Sequence, residues 1–540
     1  MSNYTRIKVP ADFNLPHDTF RPHQLDSIQW IHEAKRGVIK VTEQSTGSGK
    51  STIAMAQSMY GQVVVLTKTK QLQRQYESEF KDAVALFGRN NYPCVHPSNS
   101  NAKTAMDCLY TDNMHECPFA NNCEYLITKM LAHTIDRTIL NYAYWLTTYG
   151  KWQPEYLVLD EAHNLSDVVL NFVGSIINYK EVEHWQLPVL PNIRKLGSSA
   201  VFKQVDTYGQ ALQWLLASRG RMDQVVAELT SKGDTDYWRK ERADAEELAN
   251  KIKNTIEALH HNPGDHWYIA SGADATTRGA GFICKPKTAR YDAPRFFFTK
   301  QERVLAMSAT IGNVEAFTTE VGIKDYEFRC VPNQWPAASR QIEILDAPNM
   351  GKSSTEANPK AWEQQADIIA NKIKELPPHW SGLILCTRKK EVLLLTERLA
   401  KRGLEKRVYA MASVDGTYIP SQEQVAAWNA KLKKKPNSIG ISCNLWEGYD
   451  GKDINFVIIA KTPYPFQSPY ERARIEYDGK FYLQRTAYTM EQGLGRCRRG
   501  ERSDYNIDGE FNTYVAIADG GWNRIKNYFP ESIKDALIGA

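Results

Sequence analysis

The run TGSGKST at residues 46–52 joins small residues to one lysine, a composition suited to holding a polyphosphate. Small side chains at Thr46, Gly47, Ser48 and Gly49 let backbone N–H groups curl around phosphate oxygens at a helix start, where the helix dipole favours anions. Lys50 would reach the terminal phosphates, and the Ser51 hydroxyl would ligate magnesium. The strict pattern has a glycine six residues before the lysine, and this chain has Gln44 there. A Gly–Ser run can also be a plain flexible connector, but its place between an apolar strand and an apolar helix argues for phosphate binding.

Two carboxylates, Asp160 and Glu161, end the apolar run of YLVLDEAHN. Asp160 can hold magnesium through water, because that ion keeps part of its hydration shell. Glu161 can orient and polarise an attacking water, as phosphoryl transfer requires. The segment QGLGRCRRG at 492–500 offers Arg496 and Arg499, three apart and so on one helical face, as positive charge for the transferring phosphoryl group. Alone, the acidic pair or the basic run would be ordinary solvated surface. In one chain with the phosphate loop, they read as a nucleoside-triphosphate hydrolase.

Residues 94–123, CVHPSNSNAKTAMDCLYTDNMHECPFANNC, hold four of the nine cysteines. Cys94, Cys108, Cys117 and Cys123 follow the spacing Cys-x13-Cys-x8-Cys-x5-Cys. The intervening sequence is polar and rich in Asn, Asp and Pro, too poor in apolar residues to fold unaided, and metal coordination can supply the missing stability. A structural zinc site usually brings paired C-x2-4-C knuckles, which are missing, but a mixed site using His96 or His115 is chemically possible. On spacing alone, iron–sulfur and zinc are equally open.

These groups need a scaffold. Leu25, Ile28 and Ile31 have helical spacing, and VIKV then leads as a strand into the phosphate loop. VVVL at 63–66, a polar helix QLQRQYESEF, and the YLVL strand follow, while RVLAMSATI, GLILC, RVYAM, SIGISC, NFVIIAK and YVAIAD continue the strand pattern. Apolar strands alternating with helices predict parallel sheets covered on both faces. Residues from about 170 to 295 contain long polar helical stretches such as YWRKERADAEELANKIKNTIEALHH, predicting an inserted helical domain. Pro332, Pro336 and Pro348 mark the hinge between two sheet-bearing halves.

With 540 residues, 24% charged and 42% hydrophobic, the chain has an ordinary globular balance and length for roughly three or four domains. The net charge of +5 permits nucleic-acid binding without arguing for it; basic patches lie at Arg388 to Lys390, 431–435 and 496–502. No apolar span of about 20 residues and no signal-peptide layout is present, so the expectation is a cytoplasmic protein with no membrane partner. In a reducing compartment, clustered cysteines are more often metal ligands or redox groups than disulfides.

The motifs lie in the order of a superfamily 2 helicase and resemble the iron–sulfur branch, the XPD/DinG family. FRPHQ resembles the adenine-side motif, implying roles for Arg21 and Gln24. EQSTGSGKS is similar to motif I, in which the first strict glycine is commonly absent. LTKTKQLQRQ resembles motif Ia, DEAH motif II, and MSATI motif III through Ser308, Ala309 and Thr310. LWEGYDGKDINFVIIAKTPYPF resembles motif V, with Glu447, Gly448 and Asp450 at its signature positions, and QGLGRCRR resembles motif VI, with Gln492, Arg496 and Arg499. FGRNNYPC is similar to the run into the family's first cluster cysteine, and TILNYAYWL to the run leading out.

The resemblance implies an α/β fold of two RecA-like parallel-sheet motor domains. The first would occupy 1–87, 141–170 and 296–330, interrupted by an iron–sulfur domain at 88–140 and a helical arch-like insert at 171–295; the second would occupy 331–540. It implies ATP and magnesium at the phosphate loop, and a 4Fe-4S cluster on Cys94, Cys108, Cys117 and Cys123. It further implies translocation on single-stranded DNA, 5′ to 3′, with unwinding of forked DNA. Thr67, Thr387 and Arg388 would contact the strand's backbone. The residues themselves leave open an ATPase that remodels RNA or RNA–DNA hybrids, a nucleotide-dependent DNA clamp, and a non-enzymatic zinc scaffold.

Overall fold

The computed structural model describes residues 9–45, 48–96, 104–108, 114–191, 204–232, 235–271, 280–333, 336–412, 421–446, 453–497 and 513–539. In chain order, strands β1 (Ile39–Gln44), β2 (Val63–Thr67), β3 (Val84–Ala85), β4 (Arg137–Asn141) and β5 (Tyr156–Asp160) come first. Then β6 (Ser175–Asn178), β7 (Trp267–Ser271) and β8 (Ala280–Pro286) form a separate group, after which β9 (Arg303–Ser308) and β10 (Tyr326–Val331) return to the first sheet. The second half carries β11 (Ile342–Ile344), β12 (Gly382–Leu385), β13 (Val408–Ala410), β14 (Ile439–Ser442), β15 (Phe456–Ile459), β16 (Tyr514–Ile517) and β17 (Leu537–Ile538).

Two seven-stranded sheets result, ordered β10-β1-β9-β5-β2-β4-β3 and β13-β14-β12-β15-β16-β11-β17. Every pairing in both is parallel. Strands such as VVVLT and YLVLD are buried along their whole length, because apolar clusters cover both faces of each sheet. The fold is therefore the expected pair of RecA-like α/β domains. Strand β1 is equally buried despite its sequence IKVTEQ. Its Lys40 is paired with Glu327 at 2.5 Å and lies over the Trp30 ring, and Thr42 donates to the Arg329 carbonyl at 3.1 Å, so these polar groups are bonded where they are buried.

The first sheet is interrupted twice. Between β3 and β4, short turns carry the cysteines, and the helix Glu124–Thr134 follows. Tyr92, Ala105, Cys108, Met114, Cys123 and Leu126 are buried in the same apolar cluster as the first sheet's Leu66 and Leu140. This polar segment thus borrows the first sheet's core. β4 itself begins at Arg137, whose guanidinium donates to Asp82 and to the Phe13 and Asn14 carbonyls. The second interruption has the predicted long helices, Gln204–Ser231 and Asp236–His261, but is not wholly helical: β6, β8 and β7 form a three-stranded antiparallel sheet at its base. Those strands were unpredicted because β6 finds its partner, β8, about 100 residues along the chain, with no local turn to signal the pairing.

The two halves meet through the helices Pro469–Tyr477 and Gly479–Leu494. Tyr470 donates to the Pro286 carbonyl at 2.6 Å, joining the second half to the base of the insert. Arg474 pairs with Glu320 at 3.1 Å, both side chains being 3% exposed. Gln484 and Tyr488 both donate to the Ile311 carbonyl, at 2.5 and 3.1 Å.

Candidate functional site

In open parallel sheets, ligands bind outside the carboxyl ends of the strands. Neighbouring strands β1, β9, β5 and β2 end here in the phosphate loop, Ser308, Asp160 and Thr67 respectively. Register aligns them: Asp160 lies opposite Met307, and Ser308 opposite Glu43. Ser48, Gly49, Lys50 and Ser51 are described, with Lys50 starting the helix Lys50–Ala56; Thr46 and Gly47 lie outside the described residues.

Arg21, Gln24, Gly49, Lys50, Ser51, Asp160 and Glu161 line one open cavity of about 760 Å³. The sequence groups assigned to phosphate, magnesium, water and the adenine side are therefore brought together. Gln24 accepts from the Arg21 N–H at 2.6 Å and donates to the Gly49 carbonyl at 3.2 Å, tying the adenine-side motif to the phosphate loop. Gly49 has φ +84°, a left-handed conformation that favours glycine, and a Cβ there would have to displace the Gln24 amide. The Lys50 ammonium donates to the Gln44 and Ser45 carbonyls at 3.1 and 3.4 Å. The cavity also takes in His17, Tyr76 and Glu79, which the motifs did not single out. Tyr76 and Glu79 are three apart on one helix, the spacing that could have marked them as a shared face.

Asp160 is held at three points: Tyr76 donates to its Oδ2 at 3.0 Å, the Glu161 N–H to its Oδ1 at 3.0 Å, and Tyr142 to its carbonyl at 2.9 Å. Burial, with the adjacent Glu161 carboxylate, pushes the Asp160 carboxyl up to about 7 against the pull of Lys50. Burial also opposes ionisation of Glu161, but bonds to His163 and Ser308 and the charge of Lys50 hold it low. Glu161 adopts φ +51°, a left-handed conformation that costs a non-glycine residue roughly 1–3 kcal/mol, placed where its carboxylate enters the cavity.

Behind this pair, His163 Nδ1 lies 2.8 Å from the Ser308 hydroxyl and 2.9 Å from that of Thr310, and its ring packs 5.3 Å from Tyr488. Tyr488 belongs to the helix that grips Ile311, so hydrogen bonds linking Glu161 and His163 and a ring contact from His163 to Tyr488 lead into the second half. Next to it, the Gly312 N–H donates to Glu43 at 2.5 Å, and burial raises Glu43 to about 7. Burial, with Glu43 and Glu161 nearby, also pushes the carboxyl of Glu491, the neighbour of Gln492, upward.

That helix stops at Leu494. Arg496 lies beyond it in a turn rather than on a helical face, fully buried, with Nε and Nη2 donating to the Trp446 carbonyl. It does not line the cavity that holds Lys50. Gly448, Asp450 and Arg499 lie outside the described residues. Thr67 is buried with its hydroxyl on the Thr69 carbonyl, and Thr387 donates to Glu391 at 2.8 Å, so both hydroxyls are engaged within the protein.

All four cysteines of the first interruption line a second, small cavity, whose wall is completed by Val95, His96, Ala105, Met114, Phe119 and Leu126. Cys108 and Cys123 are buried, and Cys94 and Cys117 are half-buried. Among the described residues, no group of three or more His, Cys, Asp or Glu converges as a site for a metal ion. Four thiols around an apolar cavity nevertheless fit the donor set of an iron–sulfur cluster. Among the described residues, no helix is long and apolar enough to cross a membrane.

Residues 21–207 match the family model for the DEAD/DEAH box helicase. No curated protein matches the chain in sequence. Among solved structures, it is similar to one described as "XPD_Helicase", with a TM-score of 0.57 at 14% identity, covering 96% of this chain and 99% of that one. It is similar also to "XPD_APO", with a TM-score of 0.52 at 14% identity, covering 92% of this chain and 95% of that one.

Proposed function

We propose, for a chain that carries a DEAD/DEAH box helicase domain on the fold of an XPD helicase, an ATP-driven motor that moves 5′ to 3′ along single-stranded DNA and separates forked duplex. The observation that carries this reading is the meeting of Lys50, Ser51, Asp160 and Glu161 in one cavity, joined through His163 to a helix of the opposite half. Lys50 takes the terminal phosphates, with Thr46, Gly47, Ser48 and Gly49 as the cradle, and Arg21 and Gln24 hold the adenine side. Ser51 and Asp160 would hold magnesium, which supplies charge neutralisation between the outer phosphates. Glu161 orients the attacking water, and Arg496 and Arg499 supply the arginine fingers. For Arg496, that role requires its guanidinium to leave the Trp446 carbonyl as the halves close. Gly448, Asp450 and Gln492 complete the nucleotide contacts from the second motor domain.

Closure around ATP and reopening after hydrolysis give two states with different grip on the strand, and that difference becomes movement. The bonds from Gln484 and Tyr488 to Ile311 place the second half directly on the segment adjoining the hydrolytic residues, which supports such coupling. Cys94, Cys108, Cys117 and Cys123 would hold a 4Fe-4S cluster, which supplies a rigid cross-link to a module poor in apolar residues. The run FGRNNYPC leading into Cys94 favours it over zinc. The domain limits are those given above, except that β4 (Arg137–Asn141) belongs to the first sheet, with the cysteine module at the duplex junction and the protein acting in the cytoplasm.

The test is strand separation on tailed duplexes with 5′ or 3′ overhangs, in DNA and in RNA, with ATP. The wild type is expected to open 5′-tailed DNA, and Lys50→Ala to open none. Preference for RNA, or strand binding without separation, would overturn the reading in favour of an RNA remodeller or a clamp.

A further inference from the structure

We propose that Phe466 is a stacking platform for an unpaired nucleobase, an inference that rests on the strand-binding motor reading above. Strand β15 delivers the loop Lys461–Ser468 to the carboxyl edge of the second sheet. This loop is fixed nearly everywhere. Pro463 and Pro465 restrict its backbone. The Thr462 N–H donates to Asp519 at 2.7 Å, and the Tyr464 hydroxyl donates to the Gly521 carbonyl at 2.9 Å. The Tyr464 ring stacks on Tyr482 at 5.9 Å, and the Tyr482 hydroxyl donates to the Pro465 carbonyl at 3.1 Å. On the other side, the Ser468 N–H donates to the Phe466 carbonyl, and its hydroxyl caps the helix Pro469–Tyr477 that crosses to the first half.

Between these anchors, Phe466 is 79% exposed. Burying a phenylalanine is favourable, and a mobile loop would let the ring fold back; this backbone holds it out in water. A rigid, exposed aromatic on a ligand-bearing sheet edge, beside the crossing between the halves, presents a π-face to a passing strand. Stacking of this kind accepts any base and leaves the phosphates to other groups.

The experiment measures binding of the full chain to fluorescent oligothymidylate and to an abasic strand of equal length, for wild type, Phe466→Ala and Phe466→Trp. Phe466→Ala is expected to bind oligothymidylate about ten-fold more weakly, to lose the same factor from its discrimination between the two strands, and to be rescued by Phe466→Trp. A Phe466→Ala variant that keeps the wild-type ratio overturns the inference. A wild type that binds neither strand overturns the motor reading with it, a failure recognisable without any variant.

Discussion

Arg474→Met tests whether the two motor halves are joined by a buried charge pair whose loss is limited by proton uptake. Glu320 accepts from Ser166, Thr288 and the Ala289 N–H as well as from Arg474, and is 3% exposed. Burial already pushes this carboxyl above its ordinary value of 4.5, with Arg474 the chief opposing influence. Removing one partner of such a pair costs about 3–5 kcal/mol. The penalty has a ceiling, because Glu320 can protonate instead: about 4 kcal/mol at pH 7.5, falling to about 1.4 kcal/mol at pH 5.5, at 1.36 kcal/mol per unit. In the variant, the folded value is raised further above the unfolded one, so stability is retained at low pH and lost as pH rises. Urea unfolding of wild type, Arg474→Met, Glu320→Gln and the double variant from pH 5.5 to 8 should therefore show a deficit for Arg474→Met that widens with pH. At pH 7.5, the double variant should show a coupling energy above about 2 kcal/mol. A deficit flat across that range, or coupling below about 0.5 kcal/mol, would refute the reasoning.

Gly49→Ala should lower ATP turnover and raise the KM for ATP, since an alanine at φ +84° is strained and its Cβ would push the Gln24 amide off the phosphate loop; steady-state kinetics give the answer. Glu43→Gln should remove a pH dependence of stability: with the folded value raised to about 7, the wild type loses up to about 3 kcal/mol between pH 4.5 and 7, and the glutamine does not. Thermal melts of the two proteins across that interval decide it. Protein purified without oxygen should be brown and carry about four irons per chain, and Cys117→Ser should lose iron and destabilise the helix Glu124–Thr134. Colourless wild type with stoichiometric zinc would contradict that outcome.

Strands were legible in the sequence where both faces are covered, because VVVL, YLVL and FVII are together rich in β-branched residues and too short for a buried helix. β1 was legible only in part: VIKV announces it, but the chain stays in the sheet through Thr42 and Glu43 because the Arg329 carbonyl on β10 and the Gly312 N–H satisfy them. Asp160, Glu161, Lys50 and Ser51 were readable, since each stands at a strand or helix boundary. Tyr76, Tyr142 and Tyr488 were not: each reaches the site from its own helix through one hydroxyl, and a phenol in an amphipathic helix looks like core until a partner is seen. Helical spacing also failed past Leu494, where the Gly493–Gly495 neighbourhood ends the helix and Arg496 turns inward to the Trp446 carbonyl.

The pairing of Ser175 with Cys284 means that the chain leaves the first motor and comes back to it on adjacent strands, a ladder spacing of about 4.8 Å apart. Whatever lies between those feet is mechanically closed on itself. The connection between the two long helices can therefore change length without parting those strands, while the hairpin's inner residues, such as Leu215 and Ile252, stay packed in the apolar core of the first half.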